Sequence, residues 1–329
     1  MGALTSVFRK TSPMARIAIT GATGFLGSNI AELFHAAGYD VVALTRLAPS
    51  VTMPWSHIVV DTSCEDKMAD ALDGCDAVVH TAIANDFQNL DAEAAYRAYP
   101  GLTQSVTRAA VRVGAKPVYI STDWVMDGAG HRVPESSYGR PRNTYGYLKA
   151  LGEQVIRDVA PNTGAICRIG GVMGSHRLQE SMPRRQDVGF GYFVSALVGS
   201  LSRGEPFHVF SGDGVNQVAT PSLASEIGAS IARIVDRQAT GCFHVVADDA
   251  IARMELARLT CEVFELDASL LTDGPPPESE RFSEPVPVDT SLGNTRLHDE
   301  LGIEAVSVRR LLEALRDEAD GAVHPVSAL

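Results

Sequence analysis

A glycine-rich turn near the start of the chain constrains its fold more than any other feature. Three glycines at G-x-x-G-x-x-G spacing follow the apolar run 17–19 and precede a helical pattern over 25–37. Glycine permits a tight strand-to-helix turn and a close backbone approach to phosphate, and the helix N-terminus favours an anion. We therefore predict the first βαβ unit of a dinucleotide-binding sheet. The residues expected at the cofactor here are Gly21, Thr23, Gly24, Phe25, Leu26 and Gly27.

The end of the second predicted strand bears on the choice of cofactor. An acidic residue at this position hydrogen-bonds the adenosine ribose of NAD. This chain instead has Thr45 and Arg46, and a guanidinium suits a 2′-phosphate. We therefore expect NADP(H), with Arg46 at the phosphate. Strand order alone makes Asp61, after the run 58–60, a candidate neighbour of the adenine ring.

Strand-like runs alternate with helical patterns through the first half of the chain. The runs cover 17–20, 41–45, 57–60, 77–81, 117–121 and 165–169, and the helical patterns between them include 92–113 and 145–159. This alternation predicts an α/β fold with a doubly wound parallel Rossmann sheet. Ligands bind outside the carboxyl ends of such strands, so Thr81, Ser121 and Gly170 should border one crevice. Ala82 and Ile83 follow Thr81, and the family resemblance given below implies that this stretch lies near the nicotinamide.

The pattern divides the chain into three parts. Residues 1–15 read as an N-terminal extension, and 16–174 as the NADP-binding domain with the catalytic residues. Residues 175–329 read mainly as a smaller substrate-binding lobe, from which segments are free to return to the sheet. A short strand at 242–246 is assigned to this lobe, as are helices near 222–236, 251–266 and 308–317.

Composition excludes several classes of protein. The chain has 329 residues, of which 45% are hydrophobic and 21% charged, as is ordinary for a globular protein. Its net charge of −12 argues against binding of nucleic acid or anionic membranes. Five cysteines without paired spacing predict free thiols and no metal site. No secretory signal pattern and no membrane-spanning run is seen, so we expect a soluble cytoplasmic protein.

A second constellation, about 120 residues after the glycine turn, carries the chemistry. Tyr145 and Lys149 are four residues apart on a predicted helix and share a face. The Lys149 ammonium is expected to lower the pKa of Tyr145 toward working pH and to bind the nicotinamide ribose. Tyr145 then protonates an oxygen as hydride reaches carbon, and Thr122 positions that oxygen. Tyr147, the competing phenol, faces away from Lys149.

Three segments resemble the extended short-chain dehydrogenase/reductase superfamily, and within it the dTDP-4-dehydrorhamnose reductases. Segment 119–128 is similar to their Y-S-T-D-Y-V-F-D-G motif, 143–153 to their N-x-Y-G-x-x-K-x-x-G-E helix and 216–222 to their D-Q-x-G-x-P-T motif. The resemblance implies NADPH-dependent reduction of the 4-keto group of a nucleotide-linked deoxysugar. The implied catalytic residues are Thr122, Tyr145 and Lys149, and the substrate-binding residues include Thr122, Asp123, Trp124 and Tyr145.

The chain also departs from the family pattern. Trp124 follows Asp123 where the family's dehydratases carry a glutamate, so a complete dehydratase acid–base pair is absent. Tyr99 and Pro100 occupy the stretch that commonly carries an asparagine supporting a proton relay. An arginine-rich segment includes Arg177, Arg184 and Arg185. Arg184 and Arg185 are candidates for a substrate diphosphate clamp, and a solvated loop is the equal alternative.

Two other functions remain open from the sequence. One is a nucleotide-sugar epimerase with tightly held NAD, against which Thr45 and Arg46 count. The other is a regulatory subunit that binds cofactor without turnover, against which the intact Thr122, Tyr145 and Lys149 set counts. The sugar, the nucleotide and the oligomeric state are not readable, although helix faces of this fold are compatible with a homodimer.

Overall fold

A seven-stranded parallel sheet forms the centre of the molecule. The structure, a computed structural model, describes residues 15–83, 90–179 and 185–319. The strands of the sheet are β1 Arg16–Thr20, β2 Asp40–Thr45, β3 Ser56–Val59, β4 Ala77–His80, β5 Lys116–Thr122, β6 Ala165–Ile169 and β11 Gly241–His244. Their order is β11-β6-β5-β4-β1-β2-β3, and all pairs are parallel. The strand order reverses between β1 and β4, so the predicted doubly wound Rossmann sheet is confirmed.

Helices cover both faces of this sheet. They are α1 Phe25–Ala36, α2 Glu65–Leu72, α3 Ala92–Tyr96, α4 Leu102–Val113, α5 Thr144–Val159, α6 Phe193–Leu201, α7 Ala224–Asp236, α8 Arg253–Val263, α9 Thr295–Leu301 and α10 Val308–Ala319. On one face α1 and α7 bury Phe34 and Ile231 against the strands. On the other face α2 and α4 bury Met68 and Val106. Each such side chain stabilises the fold by about 1.5–3 kcal/mol through burial.

The assignment of the strand at 242–246 and the helix at 222–236 to the smaller lobe was wrong. β11 extends the central sheet, pairing with β6 from Gly241 opposite Ala165 to His244 opposite Arg168. α7 packs against α1 in the layer that covers the sheet. Both segments are largely buried. A short apolar run in the sequence predicts a buried strand, but it does not show which other strands pair with it.

The helix predicted over 92–113 is interrupted by a π-helical turn at Arg97–Gly101. Pro100 lies inside this turn, has no N–H to donate, and its ring clashes with the carbonyl that an α-helix would place there. The backbone widens so that the Leu102 N–H donates to the Arg97 carbonyl. Such π turns are frequent at functional sites. This one buries Tyr99 to 3% exposure.

The remaining elements build a second hydrophobic cluster beside the sheet. The short strand pairs are β7 Val172–Met173 with β10 Ser222–Leu223, β8 Phe207–Phe210 with β13 Leu271–Gly274, and β9 Val218–Ala219 with β12 Ile251–Ala252. Helices α6, α8 and α10 pack around buried Phe193, Leu256 and Leu312. Within the described ranges, no helix has the length and apolarity needed to cross a bilayer. All five cysteines are free.

Candidate active site

The glycine turn is packed so closely that two of its positions exclude a side chain. Gly21 has a φ of +72°, and a Cβ atom there would lie 2.6 Å from the Thr81 hydroxyl oxygen. A Cβ atom on Gly27 would overlap the Gly21 carbonyl oxygen. Gly24 caps α1 without a side-chain hydrogen bond, and no acidic residue occupies the first turn of that helix. The N–H groups of this turn therefore fit the pyrophosphate of a dinucleotide.

The end of β2 presents polar groups that lack partners among the described residues. The buried Thr45 hydroxyl has no hydrogen-bond partner among the described residues. Arg46 is exposed, and within the described part of the chain no acidic side chain forms an ion pair with it. An unpaired hydroxyl beside an unpaired guanidinium fits a phosphate monoester. Asp61 is exposed, and its carboxylate accepts hydrogen bonds from the Ser63 N–H and hydroxyl, which lower its pKa.

The end of β4 borders the same crevice. The Thr81 hydroxyl donates to the Thr20 carbonyl at 2.7 Å, and the Ala82 N–H donates to the Thr20 hydroxyl at 3.4 Å. Ile83 follows with 40% of its surface exposed. Thr81 is also the residue against which Gly21 packs. The structure thus brings the expected residues at 81–83 beside the glycine turn.

The first turn of α5 brings Tyr145 to the end of β5. The Asn143 side chain caps the helix by accepting the Gly146 N–H at 2.9 Å. Tyr145 follows in the first turn, and its phenol shares a hydrogen bond with the buried Thr122 hydroxyl. Tyr147 is 56% exposed. Of these two phenols, Tyr145 is the one joined to Thr122 at the carboxyl edge of the sheet.

Lys149 lies one turn further along α5 and is buried. Its ammonium donates to the Ile120 carbonyl at 2.5 Å and lies 4.5 Å from the centre of the Tyr119 ring. Burial lowers the pKa of Lys149 to about 7, and the nearby Glu153 carboxylate opposes this shift. The amine therefore exchanges its proton near neutral pH.

The expectation that Lys149 would lower the pKa of Tyr145 was wrong. Burial raises the pKa of Tyr145 to about 12. The hydrogen bond with Thr122 opposes that rise, while the negative charges of Asp123 and Asp187 add to it. The phenol consequently keeps its proton at neutral pH, which suits a group that must deliver one.

Asp123 and Trp124 follow Thr122 but lie in different surroundings. The Asp123 carboxylate accepts the Thr122 hydroxyl at 3.1 Å and the Thr290 hydroxyl at 2.6 Å, and only 4% of the residue is exposed. Burial raises the pKa of Asp123 to about 6. The Trp124 ring lies edge-on to Tyr145 at 6.2 Å and to Phe282 at 5.9 Å between centres. Trp124 therefore contributes an aromatic surface next to the proton donor.

A buried ion pair fixes α5 to the sheet behind the site. The Arg168 guanidinium donates to both Glu153 carboxylate oxygens at 2.8 Å, and the Ser121 hydroxyl donates to the same carboxylate at 2.6 Å. Arg168 also donates to the ring of His244 on β11 at 3.2 Å. Burial lowers the pKa of His244 to about 3, which keeps that ring neutral. Strands β5, β6 and β11 are thereby tied to the helix that carries Tyr145.

The arginine-rich segment is only partly visible. Arg184 lies outside the described residues. The Arg185 side chain is 88% exposed and lies 3.4 Å from Glu280. Arg177 is engaged by the carboxylates of Glu32 at 3.0 Å and Glu318 at 2.6 Å. A diphosphate role for Arg184 and Arg185 stays a prediction, whereas Arg177 ties the segment to α1 and α10.

Two residues near the site, Asp187 and Arg253, were missed from the sequence, and a third, Tyr99, was noted only as a departure from the family pattern. Tyr99 packs with Tyr145 and Leu148, and Pro100 inside a helical pattern was the available signal. The negative charge of Asp187, which lies in the loop across the crevice, raises the pKa of Tyr145. The sequence feature that could have pointed to Asp187 is the Asp-x-Gly-x-Gly spacing at 187–191. Arg253, buried to 1% exposure, had no such signal.

A glycine turn on a Rossmann sheet, with Thr122, Tyr145 and Lys149 at its carboxyl edge, defines an extended short-chain dehydrogenase/reductase. The chain belongs to the family described as RmlD substrate binding domain, whose profile matches residues 15–320.

Several relatives of the chain are reductases, and some of these are named for dTDP-linked sugars. The chain is 27% identical to a probable low-salt glycan biosynthesis reductase of Haloferax volcanii, over 77% of this chain and 81% of that one. It is 26% identical to a dTDP-4-keto-6-deoxy-D-glucose reductase of Streptomyces niveus, over 76% and 78%. A dTDP-4-dehydrorhamnose reductase of Bacillus anthracis, solved in complex with NADP, has the same fold (TM-score 0.73, 21% identity, 93% and 100% covered).

Other matches have different functions. Methionine adenosyltransferase 2 subunit beta of Rattus norvegicus is 26% identical over 80% of this chain and 77% of that one. A UDP-glucose 4-epimerase of Thermotoga maritima shares the fold with a TM-score of 0.73 and 19% identity, over 94% and 100% of the two chains.

Proposed function

We propose that this protein is an NADPH-dependent reductase of the 4-keto group of a nucleotide-activated deoxysugar. The observation that carries the proposal is the hydrogen bond between Tyr145 and Thr122 at the carboxyl edge of the sheet, beside the Gly21 turn. The dTDP-sugar reductases among its relatives support the same class of reaction. A cytoplasmic location belongs to the proposal, because free thiols persist in a reducing compartment.

The cofactor residues fit NADP(H). The glycine turn holds the pyrophosphate, and Arg46 with the unpaired Thr45 hydroxyl holds the 2′-phosphate. Asp61 flanks the adenine, and the residues at 81–83 line the nicotinamide side. The Bacillus anthracis relative was solved with NADP, which supports this choice. The bound cofactor supplies the hydride.

The protein's own residues orient the carbonyl and supply the proton. Thr122 donates a hydrogen bond to the substrate oxygen, and Tyr145 transfers its phenolic proton to that oxygen as negative charge develops there. The raised pKa of Tyr145, about 12, ensures that the proton is present at neutral pH. Lys149 binds the cofactor ribose, and its pKa of about 7 lets it resupply the proton. In the structure the Thr122 hydroxyl donates its one proton to Asp123 at 3.1 Å, so this O–H turns from the carboxylate to the substrate oxygen when the substrate binds.

The substrate lies between the two halves of the molecule. We assign cofactor and catalysis to 16–174 and substrate binding mainly to 175–329, with β11 and α7 completing the first half. Trp124 and Phe282 offer an apolar surface for one face of the sugar ring. Arg184 and Arg185 are candidates for the diphosphate.

A second candidate function is a cofactor-binding subunit without turnover. It is favoured by the hydrogen bond from the Lys149 ammonium to the Ile120 carbonyl, since this bond directs the ammonium to the protein backbone. A relative named methionine adenosyltransferase 2 subunit beta also supports this candidate. An epimerase requires NAD that is reduced and reoxidised in place, and Arg46 disfavours NAD. The proposed reductase consumes NADPH, whereas the cofactor-binding subunit does not.

The test is NADPH consumption by the purified protein with dTDP-4-keto-6-deoxyhexoses. The wild type and Tyr147→Phe should consume NADPH at similar rates. Tyr145→Phe should turn over about 10²–10⁴-fold more slowly, because it lacks the proton donor. Undiminished activity of Tyr145→Phe would reject the mechanism. NADPH binding without consumption by the wild type would favour the non-catalytic subunit.

A further inference from the structure

The loop 186–192 faces the candidate active site and is held by one buried side chain. Arg253, the first residue of α8, donates to the Asp187 carbonyl at 3.2 Å, the Val188 carbonyl at 3.0 Å and the Gly189 carbonyl. Its guanidinium stacks on Phe190 at 4.7 Å. Side-chain hydrogen bonds to three successive carbonyls fix the path of a segment that lies between β7 and α6.

Two glycines in this loop leave room for the Asp187 carboxylate. A Cβ atom on Gly191 would lie 2.9 Å from Asp187 Oδ2, and one on Gly189 would lie 3.2 Å from Asp187 Oδ1. The carboxylate also accepts the Gly189 N–H. Its orientation is therefore set by the Asp-x-Gly-x-Gly segment itself.

The Asp187 carboxylate lies next to the proton-donor group. The same hypothetical Cβ atom on Gly189 would also lie 2.8 Å from Trp124 Cζ2. The Asp187 carboxylate and the Trp124 indole therefore both lie next to Gly189. Trp124 in turn lies against Tyr145. Part of the Asp187 residue is open to solvent in the crevice, although the surrounding protein atoms desolvate its carboxylate. Within the described residues, this carboxylate forms no direct ion pair with a basic side chain. A carboxylate has about four acceptor sites, and the N–H groups of Gly189 and of Asp187 itself use two of them.

We propose that Asp187 is a specificity-determining residue that accepts hydrogen bonds from hydroxyl groups of the substrate's sugar ring. A carboxylate accepts but does not donate, so it suits a polyol and repels a further anion. Burial raises the pKa of Asp187 to about 6, with Arg253 opposing, and the group is ionised above that pH. The inference rests on the proposed function, since it places the sugar of that substrate class between Asp187 and Tyr145.

Calorimetry on the full chain saturated with NADPH tests this inference without turnover, because a sugar alcohol cannot accept the hydride of the cofactor. The two ligands are dTDP-L-rhamnose, which carries the sugar, and dTDP, which lacks it. Asp187→Asn keeps the shape and removes the charge, and Asp158→Asn on the exposed face of α5 is the matched control. Asp187→Asn should weaken dTDP-L-rhamnose roughly 10- to 100-fold, as expected for loss of a charged hydrogen bond, and leave dTDP within about twofold. The control should change neither ligand.

Three outcomes would overturn the inference. These are unchanged dTDP-L-rhamnose affinity in Asp187→Asn, an equal loss for both ligands, and no binding of the sugar nucleotide by the wild type. Thermal unfolding of each variant confirms that the fold is intact. If sugar binding depends on Asp187 while the wild type consumes no NADPH with ketosugars, the reductase proposal fails and the sugar contact stands.

Discussion

The two walls of the crevice are built in different ways. One wall consists of the end of β5 and the first turn of α5, where Thr122 and Tyr145 meet on regular backbone tied down by the Glu153–Arg168 pair. The other wall is the loop 186–192, which has no regular backbone and is fixed by Arg253. Regular elements place groups with the precision that bond making requires, and loops are easily altered between relatives. We infer that chemistry is assigned to the first wall and substrate choice to the second.

The largest predicted effect concerns the wall that carries the chemistry. Glu153→Gln leaves the Arg168 guanidinium buried without a counter-charge, and loss of one partner from such a pair costs about 3–5 kcal/mol of unfolding free energy. Glu300→Gln, in the partly exposed pair with Arg296, should cost less than about 1 kcal/mol. Urea unfolding measures both. Equal, small losses would show that α5 does not depend on the buried pair.

A somewhat smaller effect is predicted for the loop wall. Arg253→Met removes the donor from the buried Gly189 and Asn216 carbonyls, while the Val188 carbonyl keeps the Asn216 N–H at 2.8 Å. Unpaired buried carbonyls are unfavourable, and we expect a loss of about 2–3 kcal/mol of unfolding free energy. The KM for the sugar nucleotide should rise by a larger factor than the Kd of NADPH. Arg253 holds the Asp187–Gly189 part of the loop, whereas the loop meets the glycine turn at its other end, where the rings of Tyr192 and Phe25 lie 5.9 Å apart. Arg258→Met on the exposed side of α8 is the control. A matching loss of NADPH affinity would contradict the separation of the two walls.

The third prediction uses pH. The unfolded chain holds the Lys149 proton with a pKa near 10.5, but the folded chain holds it with a pKa of about 7. Between these values the unfolded state binds more protons, so this group makes stability rise with pH, by about 2 kcal/mol from pH 7 to pH 9. Lys149→Met should lack that increment relative to the wild type, whereas Lys67→Met, on the exposed face of α2, should retain it. Thermal unfolding at pH 7, 8 and 9 makes the comparison, and parallel curves would contradict it.

The smallest predicted effect concerns the cofactor site at the end of β2, which belongs to neither wall. Arg46→Asp should shift the ratio of NADPH to NADH dissociation constants toward NADH by about tenfold or more, since a carboxylate repels the 2′-phosphate and accepts ribose hydroxyls. Arg108→Asp on the exposed face of α4 should leave the ratio unchanged. Fluorescence titration of both cofactors gives the ratio. An unchanged preference in Arg46→Asp would remove Arg46 from the phosphate site.

The same difference between the walls explains what the sequence revealed. The Gly21 turn, the six strands up to 169 and the Thr122–Tyr145 pairing follow from local spacing and strand order, and the structure has them. The strand at 241–244 was assigned to the wrong part of the molecule, because a buried run does not specify its neighbours. The rise in the pKa of Tyr145 was missed for a similar reason: burial depends on what packs over the phenol.

The contacts that fix the loop wall were harder still to predict from the sequence. Arg253 and Asp187 are 66 residues apart, and the contact between them is from a side chain to a backbone carbonyl, which any residue type provides. No pattern at position 187 therefore announces its partner. Only the Asp-x-Gly-x-Gly spacing hinted at a shaped loop, and that spacing has many uses.

The central claim, hydride transfer from NADPH to a sugar carbonyl, is tested most directly by isotope transfer. The wild type is incubated with a dTDP-4-keto-6-deoxyhexose and with NADPH that carries deuterium at both C4 positions. The deuterium content of the sugar product is then measured by mass spectrometry. The account predicts one deuterium in each molecule of sugar alcohol, formed about 10²–10⁴-fold more slowly by Tyr145→Phe. Recovery of the ketosugar unchanged, or of an alcohol without deuterium, would contradict it.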